Sequence, residues 1–193
     1  MSYGDFGQYS AAAGVFGVFF VFFYLIMLAV GIAVYVMQAL WLQKMAKNRG
    51  EENAWFAWIP LLNYVLIGNM VGPMKIGKYD VKKPGIAMLV LSLGVIAVEL
   101  VGTLLIALLV NIPVLGWVLC GLIGIVLVAY PILVAVFFYF MLFKFYKQYN
   151  PEKAVMFLVL TIFFSTITMT VFLFINRDKL PVSSLEPAPE RLQ

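Results

Sequence analysis

The chain reads as long uncharged stretches cut apart by short clusters of lysine and arginine. A helix that crosses a hydrocarbon core about 30 Å thick needs about 20 apolar residues, because each adds about 1.5 Å of rise. The first stretch to meet that length lies between Asp5 and Lys44 and is densest in Phe, Val and Leu over residues 15–42. That exceeds a single crossing, so this helix is expected to tilt or to run past the membrane. The second and third spans fall at about 85–110 and 114–146, with Asn111-Ile112-Pro113 as the turn signal between them, which predicts a tight hairpin. The fourth, about 154–175, is bracketed by Lys153 and Arg177. Pro131 removes a backbone donor inside the third span and is expected to kink it.

Residues 54–74 are also uncharged, yet they contain Pro60, Asn63, Gly68, Asn69 and Gly72, which suit a turn better than a straight span. Charge separates the two readings. If the segment crosses, the thirteen cations divide six against seven between the two faces. If it dips in and returns, Lys44, Lys47, Arg49, Lys75, Lys78, Lys82, Lys83, Lys144, Lys147 and Lys153 share one side, leaving Arg177, Lys179 and Arg191 on the other. Ten against three follows the tendency of cations to stay on the cytoplasmic side. The expected fold class is therefore an all-α integral membrane protein: four transmembrane helices plus one re-entrant or interfacial segment, in a single domain over 1–180. The expected location is the cell membrane, multi-pass, with both termini extracytoplasmic and Trp55, Phe56, Trp58 and Tyr64 anchoring the dipping segment near the interface. Residues 181–193, PVSSLEPAPERLQ, carry too little apolar surface to fold and are expected to be a disordered tail.

Composition narrows the chemistry. Hydrophobic residues make up 64% of the chain and charged ones 11%, outside the range of soluble domains. There is no histidine and only one cysteine, Cys120, which removes the commonest base, the commonest metal ligand and any internal disulfide. No cofactor or metal is expected. The net charge of +4 sits in a few loops, a topology signal and not nucleic-acid affinity. Met1 to Ser10 holds Asp5 and no cation, so it lacks the basic start of a signal peptide, and the first span is expected to remain in the mature protein. Phosphate-binding loops, nucleophile elbows, paired carboxylates and H-E-x-x-H are all absent, so enzyme activity is not expected.

After the basic stretch LQKMAKNRG the sequence continues ENAWFAWIPLLNYVLIGNMVG. This resembles a segment of uncharacterised small bacterial multi-span membrane proteins, in which a first span and a basic stretch lead into A-W-x-x-x-I-P-x-x-N and a Gly-bounded apolar turn. Ala54, Trp55, Ile59, Pro60, Asn63 and Gly68 are the matching positions, over about a sixth of the chain. The resemblance implies a bacterial membrane-protein lineage and assigns no activity to any residue.

Glu99 is the one ionisable acid or base inside a span. Placing it at the bilayer centre costs about 2.5–3.5 kcal/mol, so it should face protein or water. Ser92, Glu99, Gly102 and Thr103 recur at helical spacing, and Tyr130, beside Pro131, could reach the carboxylate. One reading makes these an ion or proton site, a second makes Glu99 a neutral hydrogen-bonding link between helices, and a third leaves it facing lipid without a role. Thr161, Ser165 and Thr168, with Thr166 and Thr170, form a hydroxyl stripe that either completes a polar lining opposite Glu99 or bonds back to its own helix. Gly116, Cys120 and Gly124 form a small-residue ridge for close helix packing, repeated weakly by Ala29 and Ala33. Within the dipping segment, Trp55, Trp58, Pro60, Asn63 and Asn69 either line a cavity or belong to an interfacial helix broken at Pro60. The four lysines from Lys75 to Lys83 suit a cytoplasmic loop beside anionic head groups. The expected function is a non-enzymatic accessory or regulatory subunit of a membrane complex, touching the lipid bilayer and either copies of itself or another membrane protein. The alternative is a small ion- or proton-coupled channel or carrier centred on Glu99.

Overall fold

The computed structural model describes residues 3–182. Its elements are α1 (Tyr3–Asn48), a 3-10 turn (Ala54–Trp58), α2 (Leu62–Val71), a two-stranded hairpin of β1 (Met74–Ile76) and β2 (Tyr79–Val81), α3 (Pro84–Leu109), α4 (Leu115–Tyr149), a 3-10 turn (Pro151–Lys153) and α5 (Ala154–Asn176). The chain is an all-α membrane protein in which four helices are long and apolar enough to cross a bilayer. The expected spans fall inside α1, α3, α4 and α5 to within a residue or two at most ends. The apolar run sets helix length, and Pro84 at the first turn of α3 and Asn111-Ile112-Pro113 after it fix where helices start and stop. Residues 183–193, most of the expected disordered tail, lie outside the described residues.

The core sits at one end of the molecule. Leu42, Met45 and Ala46 from the end of α1 pack with Ala54, Ala57, Leu66, Ile67, Met70 and Met74, and with Phe145, Tyr146 and Tyr149 from the end of α4. Burying large aromatic rings accounts for much of this packing. The opposite end is sparse. In α1 the side chains from Phe16 to Ile32 are exposed, Phe16 at 64% and Val21 at 60%. There α3 and α4 touch each other alone and form a two-helix prong. Pro131 lies within α4, and the helix runs through it.

A break that no proline marks lies at Phe164 in α5, where the backbone leaves helical geometry (φ −132°, ψ 50°). Residues 154–163 and 165–176 fold back on each other there. Phe157 and Phe172, fifteen positions apart, would lie about 22 Å apart along a straight helix. Their ring centroids are 5.1 Å apart. Tyr146 touches both, at 5.9 Å and 4.4 Å. The returning half runs beside α1 in the same direction: Gln38 bonds Thr166 and Thr170, Asn48 donates to the Arg177 carbonyl, and Lys44 pairs with Asp178. Lys153 and Arg177, which sequence reading separates across the membrane, therefore stand at one end with Lys44, Lys47, Arg49 and Lys144.

The segment 54–71 is folded back in the same way. It enters beside Met45 and Ala46, carries Trp58 up to Tyr35, whose hydroxyl donates to the Trp58 carbonyl at 2.7 Å, and returns to the end of α4, where Gln148 Nε2 donates to the Val71 carbonyl at 2.8 Å. With ten residues, α2 rises about 15 Å, half of a hydrocarbon core. Val65, Leu66, Ile67, Gly68, Met70 and Val71 are buried, so this helix is enclosed by protein and does not lie on a surface. Irregular backbone at membrane depth requires such enclosure.

Candidate functional site

The tips of the two folded-back segments meet. At the first tip Leu61 adopts φ +71°, a left-handed conformation that side chains rarely take, and lets the chain reverse between Pro60 and α2. At the second, the break at Phe164 turns Ser165 and Thr166 toward the first. Between them is a cavity of about 200 Å³ whose polar lining comes from Tyr35, Gln38, Asn63, Tyr64, Thr161, Ser165 and Thr166. Its apolar wall includes Leu42, Phe138, Leu142 and Leu173. No charged residue lines it. Gln38 lies six residues before Lys44, so the polar belt is about 9 Å deeper than the Lys44 level.

Most of these groups are held by neighbours. Gln38 Nε2 donates to the Thr166 carbonyl at 3.0 Å and to Thr170 Oγ1 at 2.6 Å. The Thr161 hydroxyl donates to the Phe157 carbonyl at 2.6 Å and lies 2.9 Å from the Tyr146 hydroxyl. Thr170 donates to the Thr166 carbonyl at 2.6 Å. Of the two readings of the hydroxyl stripe, bonding back to its own helix is the one realised for Thr161 and Thr170. The amide of Asn63 differs: its Oδ1 is buried without a hydrogen-bond partner among the described residues. An unpaired buried polar atom costs about 1–3 kcal/mol, which makes this amide the least satisfied group of the site.

The other dipping-segment residues are distributed around this cavity. Trp58 braces the tip, its indole Nε1 donating to Gln43 Oε1 at 3.1 Å. Trp55 is exposed, with its ring edge-on to Phe56 at 4.8 Å. Pro60 is exposed beside the turn, and Asn69 is exposed away from the cavity. Tyr64 lines the cavity, its ring edge-on to Phe138 at 5.1 Å.

The grouping expected around Glu99 does not assemble. The shallow groove beside Glu99 is lined by Val95, Ile96, Leu100, Thr103, Leu104 and Ala107, all of α3 itself. Thr103 is exposed and Ser92 half-buried on the same helix, while Gly102 points elsewhere, against Leu127 of α4. Tyr130 lies over Gly94, and its hydroxyl donates to the Leu91 carbonyl at 3.4 Å, not to the carboxylate. The α5 hydroxyls line the cavity, away from Glu99. The reason is angular: positions 92, 99 and 103 share a face of α3, and that face is the one α4 leaves uncovered.

The small-residue ridge is used in part. A methyl on Gly116 would overlap the Leu109 carbonyl, and Cys120 Sγ lies 3.8 Å from the Ile106 carbonyl, but nothing lies within 4 Å of where a Gly124 methyl would sit. A backbone-to-backbone approach joins Gly68 of α2 to Gly85 of α3, a pairing that no spacing within one span reveals. Among the described residues no cluster of three or more His, Cys, Asp or Glu could hold a metal ion.

No protein-family model matches the chain, and no curated protein or solved structure shows significant similarity to it.

Proposed function

We propose that the chain is a non-enzymatic accessory subunit of a membrane complex, and that it works by presenting the open face of α3 to another membrane-embedded protein surface. The observation that carries this reading is that Glu99, half-buried, and Thr103, exposed, share a face of α3 on which the carboxylate has no hydrogen-bond or ion-pair partner among the described residues. Left against lipid, the carboxyl costs about 2.5–3.5 kcal/mol; a hydrogen-bonding partner helix removes much of that cost. The bare outer half of α1 supports the same reading, since it too is a length of apolar helix without a neighbour in the bundle. The proposed setting is a bacterial cell membrane. There α1, α3 and α4 cross, the segment 54–71 and α5 re-enter from the cytoplasmic leaflet, the N-terminal end of α1 is extracytoplasmic, and residues 177–179 are cytoplasmic. This differs from an extracytoplasmic end for α5, and it puts all twelve cations among the described residues on the cytoplasmic side.

The test is photo-crosslinking in cells from benzoylphenylalanine at Ile96 or Leu100, which flank Glu99, with Leu133 on α4 as the reference position. The expected result is a discrete protein adduct from the α3 positions that falls at least fivefold in a Glu99→Leu background and is absent at Leu133. Adducts with lipid alone at all three positions would remove the proposal. Proton or ion flux in liposomes that disappears in Glu99→Gln would replace it with the carrier reading.

A further inference from the structure

The cavity between the two folded-back tips has a composition that selects among membrane molecules. We infer that it binds the head region of a neutral glycerolipid carrying a free hydroxyl, a diacylglycerol-type molecule, independently of any protein partner on α3. The first argument is charge. The lining is amide, hydroxyl and phenol, with no Lys, Arg, Asp or Glu, so a phosphate placed there would lose its water without gaining a counter-charge. The cations stand about 9 Å away along α1, at the level of Lys44, where a phosphate is drawn instead. A lipid without a charged head can sink its glycerol below the phosphate level to the depth of Gln38 and Asn63.

The second argument is unused hydrogen-bonding capacity. The side chain of Asn63 carries both an acceptor and two donors, and its acceptor, Oδ1, is buried without a partner among the described residues. Ser165 and Tyr64 add hydroxyls to the lining. A glycerol hydroxyl with its adjacent ester carbonyls offers the matching donor and acceptors. The third argument is shape. A volume of about 200 Å³ accommodates a glycerol unit and its ester groups but not two acyl chains. The chains can leave through the exposed mouth at Ser165 and Thr166, past the half-buried Phe138 and Met169.

The full chain is reconstituted in phosphatidylcholine nanodiscs containing a diacylglycerol with a diazirine in one acyl chain. A parallel sample contains phosphatidic acid with identical chains, which differs only by the phosphate. Mass-spectrometric mapping is expected to find diacylglycerol adducts around Phe138 and Met169 at no less than fivefold the level of phosphatidic acid adducts. Unlabelled diacylglycerol should compete and triacylglycerol, whose hydroxyl is capped, should not. Asn63→Leu should lower the adducts at least fivefold. Ser165→Phe, a change at the exposed mouth that leaves the core untouched, should do the same at unchanged melting temperature. Equal labelling by phosphatidic acid, competition by triacylglycerol, or labelling unaltered in Ser165→Phe each overturns the inference. Labelling no higher in the cavity than on the outer face of α1 also overturns it and leaves a cavity holding water only.

Discussion

At the residue scale the fold depends on a few places where backbones touch. Gly68 and Gly85 bring α2 against the start of α3 so closely that a methyl on Gly68 would overlap the Gly85 backbone, and one on Gly85 would overlap the Val65 carbonyl. Backbone cannot yield as a flexible side chain can, so the two helices would have to separate. Gly68→Ala or Gly85→Ala is expected to lower stability by about 1–3 kcal/mol, the range for overpacking. Gly124→Ala, with nothing within 4 Å, should stay within about 0.5 kcal/mol of the parent. Thermal unfolding of the three variants in one detergent checks the contrast, and equal losses at Gly68 and Gly124 would contradict the α2–α3 contact. Spacing made Gly124 visible and left Gly85 hidden, because a period reports which residues share a face but not which face has a neighbour. The same gap explains Glu99: its helical partners at 92 and 103 were readable, whereas the absence of anything opposite them depends on where α4 lies.

At the element scale, α5 behaves least as its composition suggests. FLVLTIFFSTITMTVFLFIN contains neither proline nor glycine, so no backbone signal marks the reversal at Phe164. What holds the reversal is tertiary: the aromatic cluster of Phe145, Tyr146, Tyr149, Phe157 and Phe172, and the contacts of the returning half with α1. Span lengths could be read because each is a property of one segment; the fold-back could not, because it exists only where α4 and α1 flank it. The hydroxyl-rich centre TIFFSTITMT was the trace it left in the sequence. The outer fastening of that returning half is the pair Lys44–Asp178. The Lys44 ammonium, hydrogen-bonded to Asp178, with Arg177 Nε adding a second contact at 3.2 Å, holds the Asp178 carboxyl below its ordinary value. A lowered carboxylate contributes its stabilisation fully above the ordinary aspartate range and loses it as pH falls through the lowered value. Because the pair is exposed, the effect should be local and weakened by salt. Protection factors for amide exchange at residues 170–178, which take out the intrinsic pH dependence of exchange, are expected to fall on acidification below that range, and Asp178→Asn should show the lowered protection already at neutral pH. Protection in Asp178→Asn that keeps the parent's pH response would assign the fastening to another group.

At the scale of the whole molecule, two folded-back segments change how charge and membrane fit together. In the proposed orientation the two insertions enter and leave by the same face and add no crossings, which would put the dense, enclosed base in the cytoplasmic leaflet and leave the other leaflet to the outer parts of α1 and the α3–α4 prong. The arrangement explains why the core is confined to one end and why so much of α1, α3 and α4 is exposed apolar surface. It also turns the sidedness of residues 177–179 into the measurement on which the architecture stands. In a Cys120→Ser background, single cysteines replacing Lys44, Lys83, Lys179 and Asn111 can be treated in intact cells with a membrane-impermeant maleimide, then again after permeabilisation. A folded-back α5 predicts that Lys44→Cys, Lys83→Cys and Lys179→Cys are protected until permeabilisation, while Asn111→Cys at the prong's turn reacts at once. A straight α5 predicts that Lys179→Cys reacts with Asn111→Cys instead. The Lys83 position tests the other segment separately: if Lys83→Cys reacts in intact cells while Lys44→Cys does not, residues 54–74 cross, α3 and α4 run the opposite way, and the cytoplasmic base cannot hold together as described.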